Sequence, residues 1–274
     1  MNIAIIGCGY IGSALATLWA KKGYHITATT RNVSNLEKLA KIAQKSQILK
    51  NSDETELTTL ILNNDVLVVT IAADGPKHYE SAYLDTAKMF HQIASAIDQP
   101  RHLIYTSSTS VYGDHNGLWV DEESPLLGGD ELSKILIQAE KTYLSLGELG
   151  WPISIFRLAQ IYGPGRDLSH KVKELEGHVL PGSGEHYTNM IHKTDCAAAI
   201  DYALRHHLQG VFNLADDEHP TRKELYDTIC QKFRLPKVKW DPSHAGFPTG
   251  NKRVSNHKIK AEGFAFHHPH RVLD

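Results

Sequence analysis

Residues 2–12, NIAIIGCGYIG, constrain this chain more than any other stretch. The continuous apolar run up to Gly7 suits a strand buried on both faces. It passes directly into Gly7, Gly9 and Gly12, then into a segment with apolar residues at Ile11, Leu15, Leu18 and Trp19 that stops at Gly23. In such a strand–turn–helix unit each glycine has its own task. Gly7 permits the tight turn, Gly9 lets the backbone approach a pyrophosphate, and Gly12 lets the helix pack closely with its N-terminus toward the anion. Cys8, Tyr10 and Ile11 share that loop, so the whole stretch 7–12 is expected to hold a dinucleotide.

The remainder repeats the alternation. HITATT (25–30), DVLVVTIAA (65–73), HLIYTSS (102–108), PISIFRL (152–158) and GVFNLA (210–215) read as strands. VSNLEKLAKIA, YLDTAKMFHQIASAI, ELSKILIQAEKTYLSLG and TDCAAAIDYALRHH read as helices. This order predicts an α/β fold, a doubly wound parallel sheet with helices on both faces. After IYGPGRD the pattern loosens into Gly- and Pro-punctuated chain. The expected organisation is a nucleotide-binding domain over 1–165, to which 188–216 return, and a smaller lobe made of 166–187 and 217–274.

Composition narrows the partners. A net charge of −2 over 274 residues offers no case for nucleic acid or an anionic membrane surface, and no stretch is long and apolar enough to span a bilayer. A small-molecule substrate is the expected partner. Cys8, Cys196 and Cys230 are odd in number and far apart, which points to a reducing, cytoplasmic setting, and no signal peptide is read before MNIAIIG. The FHHPHR cluster near the C-terminus has no partnering Cys or Glu motif and is read as a solvated tail, with no metal site expected.

Cofactor choice is made where the second strand ends. An NAD site wants an acid there, about 20 residues on, to bond the ribose 2′-hydroxyl. This chain has Thr29, Thr30 and Arg31, with no carboxylate before Glu37. A guanidinium grips a 2′-phosphate and a hydroxyl adds a hydrogen bond, so NADP is expected over NAD. The alternative is that Arg31 merely solvates a loop. Ala72, Ala73 and Ser107, at the ends of the next two strands, complete the expected cofactor contacts.

With YTSSTSVYG, FRLAQIYGPGRD, NMIHKTDCAAAI and GVFNLADDE, the sequence resembles the extended short-chain dehydrogenase/reductase superfamily. More narrowly, it is similar to its atypical NAD(P)-dependent epimerase/dehydratase-like members, in block order and spacing from residue 2 to about 260. The resemblance implies a Rossmann domain with a small C-terminal substrate lobe. It also implies a hydroxyl that orients the substrate oxygen, a Tyr that exchanges its proton, and a Lys that assists the Tyr and holds the nicotinamide ribose. The hydroxyl falls on Ser108, with Ser107 and Thr109 beside it. If Lys134 is the family lysine, the tyrosine position holds Asp130. If Glu140 sets the register instead, those positions are Leu132 and Leu136. Neither register supplies a phenol.

Asp130 is also a good helix N-cap, following two glycines. Tyr112 and Tyr162 are packing residues in the family blocks and alternative sources of a phenol. Thr188 stands where nucleotide-sugar members carry a diphosphate-binding arginine. Thr109, Arg166 and Asn189 remain as substrate contacts. The resemblance therefore implies an NADP-dependent oxidoreductase or epimerase for a small polar alcohol or carbonyl, sugar-like compounds included, working without the usual Tyr. A homodimer through two long helices is its implied assembly. The competing reading is a non-catalytic NADP(H)-binding sensor or interaction protein.

Overall fold

The computed structural model describes residues 1–50, 53–244 and 250–273. The chain runs β1 (Asn2–Ile6), α1 (Tyr10–Lys21), β2 (His25–Thr30), α2 (Leu36–Leu39), β3 (Lys45–Ile48), α3 (Glu54–Asn63), β4 (Val66–Val69) and α4 (Tyr79–Ala94). It continues with β5 (His102–Ser108), β6 (Trp119–Val120), α5 (Glu131–Leu144), β7 (Ile153–Leu158), β8 (Gln160–Tyr162) and α6 (Leu168–Lys173). β9 (Val179–Pro181), β10 (Met190–His192), α7 (Lys193–His206), β11 (Gly210–Leu214), α8 (Arg222–Phe233), β12 (Lys239–Asp241), β13 (Arg253–Val254) and α9 (His257–Ala261) follow.

Seven strands form one sheet in the order β11-β7-β5-β4-β1-β2-β3. The pairs β1–β2, β1–β4, β2–β3 and β4–β5 are parallel, as the βαβ alternation predicts. The doubly wound Rossmann sheet expected from the sequence is thus present, and β1 lies inside it.

Four elements differ from the sequence reading. β3 and α3 had no counterpart there. β3 reads KSQI and is half exposed, so it lacks the apolar signal of a buried strand. VSNLEKLAKIA holds only a four-residue α2, because the Asn32 side chain accepts from Ser34 N at 3.0 Å and turns Val33–Asn35 into a tight 3-10 turn. The strand expected over 65–73 stops at Val69. There the Thr70 hydroxyl donates to Gly7 O at 2.8 Å, and Ile71, Ala72 and Ala73 leave the sheet as loop.

Two compact units are distinguished. The first comprises Met1–Ser107, Lys134–Arg157 and Ile200–Val211. Its core packs Ala4, Ile6, Leu67, Val69, Leu103 and Tyr105 of the sheet against Leu57, Ile61, Phe90, Ile93 and Tyr143 of the helices. Phe90 meets Tyr143 and Trp151 edge-on, each with ring centroids 5.8 Å apart. Two buried carboxylates hold ion pairs in this unit. Glu140 accepts both Arg157 Nε and Nη2 in full burial, the Nη2 bond at 2.8 Å. Asp201 accepts from Trp19 Nε1 at 3.0 Å, Lys22 Nζ at 2.6 Å and Arg205 Nε at 2.9 Å.

The second unit comprises Ser108–Ser133, Leu158–Ala199 and Phe212–Asp274. Its own core gathers Tyr162, Leu168, Val172, Met190, Leu225, Tyr226, Ile229 and Cys230. Three two-stranded parallel pairs stitch it: β8 with β10, β9 with β12, and β6 with β13. No helix among the described residues is long and apolar enough to cross a membrane. All three cysteines are buried free thiols.

Candidate functional site

In the first unit the glycine turn is fastened from below. Gly7 N donates to Thr29 Oγ1 at 3.1 Å, Cys8 N to Thr29 O at 2.7 Å, and Gly9 N to Gly7 O at 2.7 Å. Thr29 is therefore a support of the turn. Gly7 sits at φ +82°, and a Cβ there would lie 2.8 Å from Ile71 Cα. A Cβ on Gly12 would lie 2.8 Å from Thr70 Oγ1 and 3.0 Å from Ile5 Cγ2. A Cβ on Gly9 would meet nothing nearer than 3.9 Å.

The two outer glycines are thus required by packing, whereas the middle one faces open space. Above that space stands the N-terminus of α1, which has no side-chain cap and no acid in its first turn. An uncapped helix start beside an open, glycine-lined backbone fits a pyrophosphate. Ile11 is buried behind the turn and Tyr10 is half-buried. Burial pushes the Cys8 thiol up to about 11, so it packs and does not react.

The ends of β2 and β4 are tied by Arg31, whose Nη2 donates to Ala72 O at 2.8 Å while the side chain stays exposed. The Thr30 hydroxyl is engaged locally with Asn32, accepting from its N at 3.2 Å. Ala73 N donates to the Tyr83 hydroxyl at 3.4 Å, and burial raises that phenol despite the nearby Arg31 charge. Tyr83 escaped the sequence reading because it lies inside α4 at ordinary apolar spacing. Ser107, at the end of β5, buries a hydroxyl that has no hydrogen-bond partner among the described residues. An orphaned buried hydroxyl costs stability unless something bonds it, so it also fits a ligand on this strand end. Lys134 is exposed on α5.

In the second unit the Ser108 hydroxyl accepts from Ser110 N at 3.1 Å and starts the 3-10 turn Thr109–Tyr112. Thr109 is buried within that turn. Tyr112 is fully buried, and its hydroxyl donates to Asn213 Oδ1 at 2.7 Å. The Tyr162 hydroxyl accepts from Val272 N at 3.3 Å, and burial pushes it up to about 12. Asp130 Oδ1 accepts from Ser133 N at 2.7 Å, so the capping geometry at the head of α5 is present. Arg166 is exposed at the turn where its N donates to Gly163 O at 2.7 Å. Lys193 lies near enough to feel the Arg166 charge, and its amine is lowered first by burial and then by that arginine.

Asn189 is occupied. Its Oδ1 accepts from Val254 N at 2.8 Å and meets His219 Nδ1 at 2.9 Å, and its Nδ2 donates to Lys252 O at 2.9 Å. Lys252 is itself buried, with Nζ on Gly113 O at 3.1 Å, and burial lowers it to about 8. No sequence signal marked it.

The C-terminal stretch is not the solvated tail that its histidines suggested. Asp195 accepts from His267 N at 2.7 Å, His268 N at 3.0 Å and His268 Nδ1 at 2.8 Å. The His192 and His268 rings lie 3.9 Å apart. Beyond them, buried Arg271 donates to Asp216 at 2.9 Å and to Thr188 Oγ1 at 2.7 Å. A guanidinium does reach Thr188, but it comes from the far end of the chain and is balanced by Asp216. Burial still lifts that carboxyl to about 6 against the pull of Arg271.

The profile of the NAD-dependent epimerase/dehydratase family matches residues 3–215. The chain belongs to that family. Its members are enzymes of the epimerase and oxidoreductase kind, with the sheet described above. Protein YeeZ of Escherichia coli strain K12 is 30% identical over 239 residues, covering 85% of this chain and 84% of YeeZ. A functionally unknown conserved protein from Silicibacter pomeroyi DSS superposes with a TM-score of 0.81 at 27% identity, over 98% of this chain and 94% of that one. UDP-glucuronic acid 4-epimerase from Bacillus cereus, solved with UDP-glucuronic acid and NAD, superposes with a TM-score of 0.79 at 20% identity, over 95% and 92%. At that identity the likeness is one of fold.

Proposed function

We propose that this family member is an NADP-dependent oxidoreductase or epimerase acting on a small polar alcohol or carbonyl, sugar-like compounds included. Arg31 carries the cofactor part of the reading. It extends along the carboxyl ends of β2 and β4, one bond fixing it to Ala72 O and the rest of its fork exposed. No carboxylate is in the position that an NAD ribose would favour, and a guanidinium there suits a 2′-phosphate. Gly9, Tyr10 and Ile11 present the open backbone and helix start for the pyrophosphate, and the Ser107 hydroxyl is available to the same ligand. When bound, the nicotinamide supplies hydride exchange.

On the substrate side, Ser108 holds and orients the reacting oxygen, and its bond to Ser110 N fixes the side chain for that task. The two phenols that could have replaced the absent tyrosine are engaged inside their own unit, Tyr112 with Asn213 and Tyr162 with Val272 N. Proton exchange therefore rests on Asp130 or on water held at Ser108. Arg166, with Lys193 close by, receives an anionic part of the substrate.

Titration of the wild-type chain and of Arg31→Ala with NADPH and NADH tests the cofactor reading. Loss of a charge-assisted phosphate contact should weaken NADPH roughly ten- to a hundredfold and leave NADH nearly unchanged. Equal affinity of the wild type for both cofactors would overturn it. Ser108→Ala should remove turnover while cofactor affinity stays within about threefold, since general acid–base and orienting groups act mainly on the chemical step. Unchanged turnover would take Ser108 out of the mechanism.

A further inference from the structure

The head of α7 gathers side chains of the kind that hold a metal ion. His192 closes β10, and Asp195 stands three residues on, in the first turn of α7. The C-terminal stretch brings His268 to the same place. One ligand atom from each of the three lies within 4.8 Å of those of the other two. His192 and Asp195 are buried, and His268 stays partly exposed, which gives an ion a way in.

The donor atoms face one another. His192 Nδ1 meets Thr194 Oγ1 at 2.7 Å, Thr194 Oγ1 meets His268 Nδ1 at 3.4 Å, and His268 Nδ1 meets Asp195 Oδ2 at 2.8 Å. The Thr194 amide also donates to His192 Nδ1, at 3.4 Å, so that nitrogen carries a lone pair. The other ring nitrogen faces the backbone, since a Cβ on Gly163 would lie 2.6 Å from His192 Nε2. Tyr162 braces the ring edge-on at 5.2 Å. Asp195 is aimed by main-chain amides, its Oδ1 accepting from His267 N and its Oδ2 from His268 N. Outer bonds of this kind orient a ligating carboxylate. Among the described residues the ion pair of Asp195 is with His268 alone. A buried carboxylate needs a positive partner; an imidazole supplies one only when protonated, whereas a divalent cation supplies it throughout.

We propose that His192, Asp195 and His268 form a binding site for a zinc-type divalent cation that fastens the C-terminal stretch to α7. Two imidazoles and one carboxylate suit zinc, whereas calcium and magnesium prefer oxygen ligands throughout. Zinc bonds of about 2.0–2.2 Å set neighbouring ligand atoms roughly 3.3–3.6 Å apart in a tetrahedron, so a small inward turn of the side chains suffices. Binding releases the one proton that His268 Nδ1 gives to Asp195, and it turns the Thr194 hydroxyl off His192 Nδ1. Water or that hydroxyl fills the fourth position. None of the three residues has a part in the cofactor or proton-transfer reading above, so the site stands or falls independently of it.

Equilibrium dialysis and melting curves of the whole, chelator-treated chain with zinc provide the test. The wild type should take up one zinc ion per chain saturably and melt at a higher temperature with it than without it. His192→Gln and His268→Gln should each weaken zinc at least roughly tenfold, since loss of an outer-shell partner alone already costs that much. Both variants should also lose the zinc-dependent rise in melting temperature. Replacing the exposed His267 and His270 by Gln should leave uptake and melting unchanged. A cluster that only hydrogen-bonds would melt lower in the first two variants but show no zinc dependence in the wild type. If His192→Gln unfolds, His268→Gln, at the partly exposed ligand, carries the comparison. No saturable uptake at sub-millimolar zinc, or uptake that His268→Gln leaves unchanged because surface histidines are the binders, would overturn the proposal.

Discussion

If Lys134 is the family lysine, Asp130 stands where the family resemblance implies a phenol; its carboxylate accepts the Ser133 amide at the head of α5. The two roles separate by substitution. Asp130→Ala should cost about 1 kcal/mol of stability through the lost cap, and Asp130→Ser should restore most of it. If the carboxylate also exchanges the substrate proton, Asp130→Ser will fold like the wild type and turn over far more slowly. Full activity in Asp130→Ser would leave Asp130 as a cap alone. Local chemistry of this kind was visible in the sequence, because a cap bonds a residue three positions away. Arg271 was not visible: its contact with Thr188 closes across 83 residues. Asn189 was visible as a polar residue in a family block, but its bonds to Val254, His219 and Lys252 exist only once β13 is in place.

At the scale of elements, the glycine turn divides into packing and binding positions. Gly12→Ala would force a methyl to within 2.8 Å of Thr70 Oγ1. Overpacking of this kind costs about 1–3 kcal/mol, so the melting temperature should fall with or without cofactor. Gly9→Ala has room and should melt like the wild type alone, while losing most of the stabilisation that NADPH confers. Identical behaviour of the two variants would contradict the division of tasks. β1, β2, β5 and β7 were legible within about a residue because apolar runs bounded by turn residues mark strands buried on both faces. β3 was not, since an edge strand with one wet face loses that signal, and α3 was missed with it.

Each unit of the molecule holds a half-buried imidazole whose proton affinity is lowered. His102 meets Ser154 Oγ at 2.8 Å in the first, and His219 meets Asn189 in the second. Burial lowers both from 6.5 to about 4, with nearby positive groups adding to the effect. Between those values the unfolded chain takes up a proton that the folded chain refuses. Stability is therefore fully present above pH 6.5 and is lost as pH falls toward 4, at up to about 1.4 kcal/mol per pH unit for each group. Urea midpoints at pH 7.5, 6 and 5 should fall in that order, and His102→Asn should flatten the slope. An unchanged slope in that variant would exclude His102 as a source.

The strand order β11-β7-β5-β4-β1-β2-β3 also has a consequence during synthesis. β1 emerges from the ribosome first, and β2 and β3 close one flank early. On the other flank β4, β5, β7 and β11 join in the order they are translated, each docking on its predecessor. Growth on that side is therefore templated and sequential, and a nascent chain paused before residue 210 shows an open row of amides and carbonyls along β7. A chaperone holding such translation intermediates would find its epitope there.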